Sequence, residues 1–179
     1  MPTRTEKLKQ VFNEWKIPIV AFATALILFK FVFLLVLIPT SSMYPTLPSP
    51  CYSISIRAAY WFNDPVRGDI VLFRRDNGDK TIFAKRIVGM PGDTIEIKHG
   101  VTYINGEVFE EDYLKEMPDD ENYGPFQIPE GCYFMMGDNR NHSYDSRKWN
   151  EHFVPRKNIL SKIFYNISLE EFVSDQQQK

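Results

Sequence analysis

The sequence is poor in the residues that staple or ligate. In 179 residues it holds two cysteines, Cys51 and Cys132, and three histidines, His99, His142 and His152. Two cysteines are too few for a disulfide scaffold. They are able to pair outside the cytoplasm, though two separate buried thiols are the simpler reading. The histidines show no ligand spacing with one another or with the cysteines, so neither a structural metal nor a cofactor is expected. An excess of charge of one sign is also missing. Lys and Arg number 21 against 23 Asp and Glu, a formal net charge of −2, whereas a protein that grips phosphates carries a large positive excess. Nucleic acid is therefore not an expected partner. There are no internal repeats. The hydrophobic share of 44% and charged share of 25% are ordinary and exclude a disordered chain. The length suffices for one well-buried domain and a short anchor.

What is present begins with one long apolar run. Residues 17–38 read IPIVAFATALILFKFVFLLVLI, interrupted only by Lys30, and the run matches the roughly 20 residues needed to cross a bilayer. No small-residue cleavage site follows it, so it reads as an anchor and not as a cleaved leader. Residues 1–16 carry Arg4, Lys7, Lys9 and Lys16 against Glu6 and Glu14, a positive excess that places this end in the cytoplasm and the rest outside. Lysine inside an apolar helix is costly unless it reaches an interface or a partner. Either the helix ends near Lys30 and Phe31–Ile38 forms a first strand at the membrane surface, or one helix continues with Lys30 snorkelling. Pro39 ends the segment in both cases.

The remainder reads as β structure. Apolar runs at Asp69–Phe73 and Thr81–Val88, the latter closed by Met90-Pro-Gly-Asp93, are strands. Thr94–Lys98 alternates, and Val101–Ile104 leads into the hairpin signal Asn105-Gly106. Glu110–Pro125 is acidic and rich in turn formers, a surface excursion. Gly131–Met136 and Ile159–Ile167 are the later strands, and the tail from Ser168 starts as a helical turn. The fold class is mainly β, with 39–167 as a β-rich domain and 168–179 as a tail.

Four segments carry chemistry, each beside a plainer explanation. Pro39-Thr-Ser-Ser-Met-Tyr-Pro-Thr-Leu47 is a turn between prolines, or a rigid loop presenting a hydroxyl with backbone N–H groups ready for an oxyanion. In a strand over Phe83–Val88, Lys85 shares a face with Phe83 and Ile87 by the two-residue period. An ammonium on such a face is either an edge lysine reaching water or a buried amine whose lowered pKa lets it act as a base. Gly137-Asp-Asn-Arg-Asn-His-Ser-Tyr-Asp-Ser-Arg147 is a hydrogen-bonded support for a site, or a solvated turn with an Asp145–Arg147 or Asp138–Arg140 ion pair of little consequence. Arg67-Gly-Asp spells an adhesion tripeptide, but a turn entering a strand explains it. Asn141-His-Ser143 and Asn166-Ile-Ser168 match a glycosylation pattern that is common by chance.

Together, in this order behind this anchor, the segments resemble type I signal peptidases, from the anchor to about Phe164. The first is similar to the family's serine box, with Ser42 in the nucleophile position and Ser41 where glycine is commoner. Arg67-Gly-Asp-Ile-Val resembles a second box, Lys85-Arg-Ile-Val-Gly-Met-Pro-Gly-Asp93 the lysine box, and Gly137-Asp-Asn-Arg with Ser143, Asp145, Ser146 and Arg147 the last. The resemblance implies a serine endopeptidase with Ser42 as nucleophile and Lys85 as general base. It implies an oxyanion hole from the Ser42 N–H and the Thr40 hydroxyl, Ser143 orienting the lysine, and Asp145 with Arg147 as a supporting ion pair. Substrates would be exported preproteins, cut after small-x-small sites, with the signal-peptide end lying along Leu35, Val36, Ile38, Met43, Phe83 and Ala84. Ala84 stands where the family often has a larger aliphatic residue, which implies a roomier pocket.

Pro50-Cys51 replaces a usual Gly-Asp turn, and Trp149-Asn-Glu-His-Phe-Val-Pro155 is longer than usual. The location implied is the cell membrane, single-pass, with a monomeric catalytic domain on the outer face of the bilayer. A cytoplasmic self-cleaving repressor relative is disfavoured by the anchor. A relative dedicated to one secreted substrate and an inactive signal-peptide-binding domain remain as alternatives.

Overall fold

The computed structural model describes residues 4–75, 78 and 81–168, with helical side chains from Phe12 onward. Helix α1 spans Arg4–Val32 and strand β1 spans Phe33–Ile38, with no linker between them. The helix passes Lys30 by two residues, so Phe31 and Val32, expected in the strand, are helical. The strand starts where a partner becomes available: β1 pairs antiparallel with β2 (Cys51–Ile56) along its whole length, from Phe33↔Ile56 to Ile38↔Cys51. Phe29 and Phe33 pack ring to ring across the junction, with centroids 4.7 Å apart. From Phe12 to Val32 the helix has a mean hydropathy of 1.8, and none of the residues in its apolar stretch is buried in the protein.

The other strands are β3 (Ile70–Phe73), β4 (Phe83–Gly89), β5 (Thr94–Lys98), β6 (Val101–Ile104), β7 (Glu107–Val108), β8 (Tyr123–Gln127), β9 (Cys132–Met136), β10 (Phe153–Pro155) and β11 (Ile159–Ser168). Among the described residues they form a seven-stranded sheet ordered β1-β2-β11-β3-β4-β9-β10 and a four-stranded sheet ordered β7-β6-β5-β8. The chain is thus mainly β behind one N-terminal helix. Asn105 and Gly106 both take positive φ, 54° and 87°, which suits the two-residue turn joining β6 to β7.

Three buried clusters hold the sheets. Val71, Phe73, Ile87, Met135 and Trp149 pack on one side of the large sheet. Val88, Phe134 and Met136 meet Ile95, Ile97, Ile104 and Ile128 of the small sheet. Gly89 lies where these two sheets approach: a Cβ there would collide with Ile128, Phe134 and Ile95. The third cluster, Ile38, Met43, Leu47 and Cys51, underlies the loop that carries Ser42.

The excursion expected over Glu110–Pro125 is not simply surface. Its end is strand β8, paired with β5, and Glu111 is buried against the Arg140 guanidinium. Asp138 and Arg140 do not pair with each other, because each has a better partner: Asp138 binds Arg86 and Arg140 binds Glu111. Arg67-Gly-Asp is structural. Gly68 takes a φ of 91°, Arg67 pairs with Asp93 at 2.9 Å, and buried Asp69 binds the Tyr60 hydroxyl and Lys162. Cys51 and Cys132 are unbridged. The helical turn expected after Ser168 lies outside the described residues.

Candidate active site

Ser42 is the middle residue of a short 3-10 turn, Ser41–Met43, that follows extended Thr40. Met43 anchors the turn, since it is wholly buried against Ile38, Leu47 and Cys51. It therefore presents no surface to a substrate, and the expectation that it lines the binding groove is corrected. From the other side, Asn139 holds the turn: its backbone N–H donates to the Ser42 carbonyl and its side-chain amide to the Ser41 carbonyl, both at 3.1 Å. The hydroxyl of Ser42 is left facing Lys85.

Lys85 comes from the middle of β4, opposite Val71 of β3. Its residue exposure is 4%, and its Nζ lies 2.5 Å from Ser42 Oγ. Burial pulls the pKa of this amine down to about 8. Asp145 and Asp138 pull it back up and Arg147 pushes it down, but desolvation dominates. A neutral amine within hydrogen-bond reach of a hydroxyl can accept its proton. Thr40 Oγ1 lies 3.5 Å from Ser42 Oγ, in an exposed position.

The loop after β9 forms the floor. Asp145 is fully buried and bidentate with Arg147, at 2.8 and 2.9 Å, while also accepting the Gly137 N–H at 3.0 Å. Burial alone would raise its pKa, but the Arg147 bonds outweigh that and hold it below the ordinary value. Arg147 in turn donates to the Arg140 carbonyl. Ser143 is buried beside this pair. Its hydroxyl lies near enough to Asp145 to favour the carboxylate, yet among the described residues it has no hydrogen-bond partner of good geometry, Lys85 included. Gly137 is the hinge of the arrangement, because a Cβ there would collide with Ser143 Oγ and the Ser42 carbonyl.

Sequence reading assigned no role to the brace that joins these pieces. Arg86, next to Lys85, grips Asp138 with two bonds of 2.8 and 2.6 Å. Asp138 also accepts the Thr46 hydroxyl at 2.5 Å. This brace ties the lysine strand, the serine loop and the floor into one unit. The signal was visible as a charged residue flanking each motif, but spacing alone does not pair residues so far apart.

A groove runs from β1 to this pair. Its lining includes Val36, Ile38, Leu72, Phe83, Ala84 and Ser42. Leu35 lies on the outward face of β1, exposed, and is not part of the lining. Both walls are strand edges. β1 ends the large sheet, and β4 meets β9 only from Arg86 onward, so residues 83–85 keep one edge unpaired within the sheet. An extended peptide can add itself between two such edges.

A family model described as "Signal peptidase, peptidase S26" matches residues 12–167. Among curated relatives, the "Probable signal peptidase I-2" of Synechocystis sp. is 42% identical over 132 residues, covering 71% of this chain and 59% of that protein. The "Signal peptidase I" of Leptolyngbya laminosa is 39% identical, covering 70% and 64%. The chain thus spans about three-fifths of the length of these two. The "Signal peptidase I" of Bacillus amyloliquefaciens is 37% identical over 159 residues, covering 82% of each. A solved signal peptidase I from Enterococcus faecalis V583 is 32% identical and covers 57% of this chain and 98% of that chain, with a TM-score of 0.48. By the match over residues 12–167, and by these identities, the chain belongs to the signal peptidase family, peptidase S26.

Proposed function

We propose that the chain is a membrane-anchored serine endopeptidase that removes signal peptides from exported preproteins after small-x-small sites. The observation that carries this is the 2.5 Å approach of Ser42 Oγ to a buried Lys85 amine, at the end of a groove walled by two strand edges. Family membership and the names of the relatives support the same reading.

The chemistry follows from the pair. Neutral Lys85 takes the hydroxyl proton as Ser42 Oγ bonds to the scissile carbonyl carbon, and the Ser42 N–H and Thr40 hydroxyl receive the oxyanion. The ammonium of Lys85 then protonates the departing amine as the C–N bond breaks, leaving an acyl-enzyme. Water enters, gives a proton to Lys85 and attacks the ester. Collapse releases the signal peptide, and the proton returns to Ser42. Asp145 and Arg147 position the floor and touch no reacting atom. The groove takes small side chains near the cut, with more room beside Ala84 than a larger aliphatic residue would leave, and Val36 and Ile38 supply an apolar wall.

The apolar helix supports the anchoring. Twenty-one residues at about 1.5 Å each span roughly the 30 Å hydrocarbon core, and a helix this apolar with none of those residues buried in protein needs lipid around it. Orientation with residues 1–16 in the cytoplasm and the β domain outside rests on the basic flank.

The test is cleavage of a purified preprotein by the detergent-solubilised chain, beside Ser42→Ala and Lys85→Ala variants shown to be folded. Only the unmodified chain is expected to cut, once, after the small-x-small site. Equal cutting by all three overturns the assignment of the pair, and no cutting of several unrelated preproteins overturns the general activity.

A further inference from the structure

Beyond Ser42 the surface opens again. On the far side of the contact between Ser42 and Asn139 lies a second cleft of about 430 Å3, lined by Tyr44, Lys115, Glu116, Asp138, Asn139 and His142. It shares no lining residue with the groove between β1 and β4. Its outer wall is the acidic excursion, and that wall is fixed in place. Asn141 clips it, donating to Glu116 Oε1 at 3.2 Å and the Met117 carbonyl at 3.3 Å while accepting the Asp119 N–H at 2.8 Å. Below the clip, Glu111 is locked to Arg140. Lys115 Nζ is held 4.6 Å from the centre of the Tyr44 ring, two residues along the chain from Ser42.

The charges sort themselves. Asp138 is neutralised by Arg86. Outside the lining, Asp120 is engaged by His99 and Glu121 by Lys148. Glu116 keeps its negative charge, with one carboxylate oxygen accepting from Asn141. Lys115, over the Tyr44 ring, is the one lysine or arginine in the lining of this cleft.

We propose that this cleft receives the first residues of the mature chain, those after the cut bond, and that Lys115 reads their charge, favouring an acidic side chain over a basic one. The inference rests on the proteolytic reading above. A peptide held along β1 and β4 delivers its scissile carbonyl to Ser42 Oγ, and the chain beyond leaves across the Ser41–Ser42 turn. An extended chain advances about 3.3 Å per residue, so the second and third residues after the cut reach Tyr44 and Lys115. An ion pair to the exposed Lys115 is worth a modest preference, roughly three- to five-fold.

The experiment uses the full chain in detergent and peptides identical except for Glu, Gln or Lys at the second or third residue after the cut. kcat/KM is measured for the unmodified protein, Lys115→Gln and Lys115→Glu, with Asp112→Lys as a charge control outside the cleft. The unmodified protein and the control are expected to prefer Glu over Lys about three- to five-fold at one of the two positions. Lys115→Gln loses the preference and Lys115→Glu reverses it. The same ranking in all four proteins overturns the inference while leaving the protease reading intact. Failure to cut any peptide overturns both.

Discussion

At the scale of single residues the decisive quantity is the protonation of Lys85. Its desolvated amine titrates near 8, and only the neutral form can take a proton from Ser42. The sign is therefore fixed: activity rises with pH through the value of the free enzyme and levels above it. We expect log kcat/KM to climb with unit slope below about pH 8 and to flatten beyond. Lys85→Arg removes the limb by removing the base, because a guanidinium does not lose its proton in a protein. A profile that is flat from pH 6 to 9 in the unmodified protein would exclude the amine as base. Asp145 and Arg147 shape this titration from opposite sides, so in the proposed mechanism neither is a spectator.

At the scale of elements, the loop after β9 is stabilised by a buried charge pair. Removing one member of such a pair leaves the other uncompensated, at a cost of about 3–5 kcal/mol. Asp145→Asn is thus expected to lower the unfolding free energy by that much, while Asp112→Asn, exposed on the excursion, changes it by less than about 0.5 kcal/mol. The pH dependence has a definite sign. The Asp145 pKa is depressed in the folded state, so its contribution is present above the ordinary carboxylate value and is lost as pH falls through the lower folded value. Denaturant titrations between pH 6 and 3 should show the unmodified protein losing stability faster than Asp145→Asn on the acid side. Parallel losses would place the acid sensitivity elsewhere.

The same scale shows what was legible in the sequence. β5 and β6 keep the bounds that alternation assigned, and β3, β4 and β9 differ by a residue or two, because their apolar runs coincide with their buried faces. β2 was invisible because its phase is inverted. Ser53 and Ser55 face inward, Ser55 bonding Ser161 and the Leu34 carbonyl, while Tyr52, Ile54 and Ile56 face the other way. β8 carries Gly124 and Pro125, which read as turn, and β10 has only three residues. In the site, the two-residue period could put Lys85 on an apolar face but not beside Ser42, 43 positions away. Only the order of motifs linked them, and nothing in that order showed Met43 to be core or Arg86 to be the brace.

At the scale of the whole molecule the junction between helix and domain matters most. α1 ends at Val32 and β1 starts at Phe33, so the groove wall at Val36 and Ile38 begins within about 20 Å of the helix end at 3.3 Å per residue. No slack separates the anchor from the binding strand. With the helix in a bilayer, the domain is held at a set height, and a preprotein whose own apolar segment is still embedded meets the groove at that height. Effective concentration depends on such a match between tether and span. Inserting a flexible Gly/Ser linker between Val32 and Phe33 keeps the β1–β2 ladder but releases the height. In proteoliposomes, cleavage of a membrane-embedded preprotein is expected to fall several-fold, roughly three to ten. Hydrolysis of a soluble peptide by the same variant in detergent should stay within about two-fold of the unmodified protein, because the Ser42–Lys85 pair and its floor are untouched. Equal loss in both assays would mean that the linker disturbed the strand itself. No loss in either would mean that the anchor supplies membrane residence alone, and that the direct passage from helix to strand has no part in presenting the substrate.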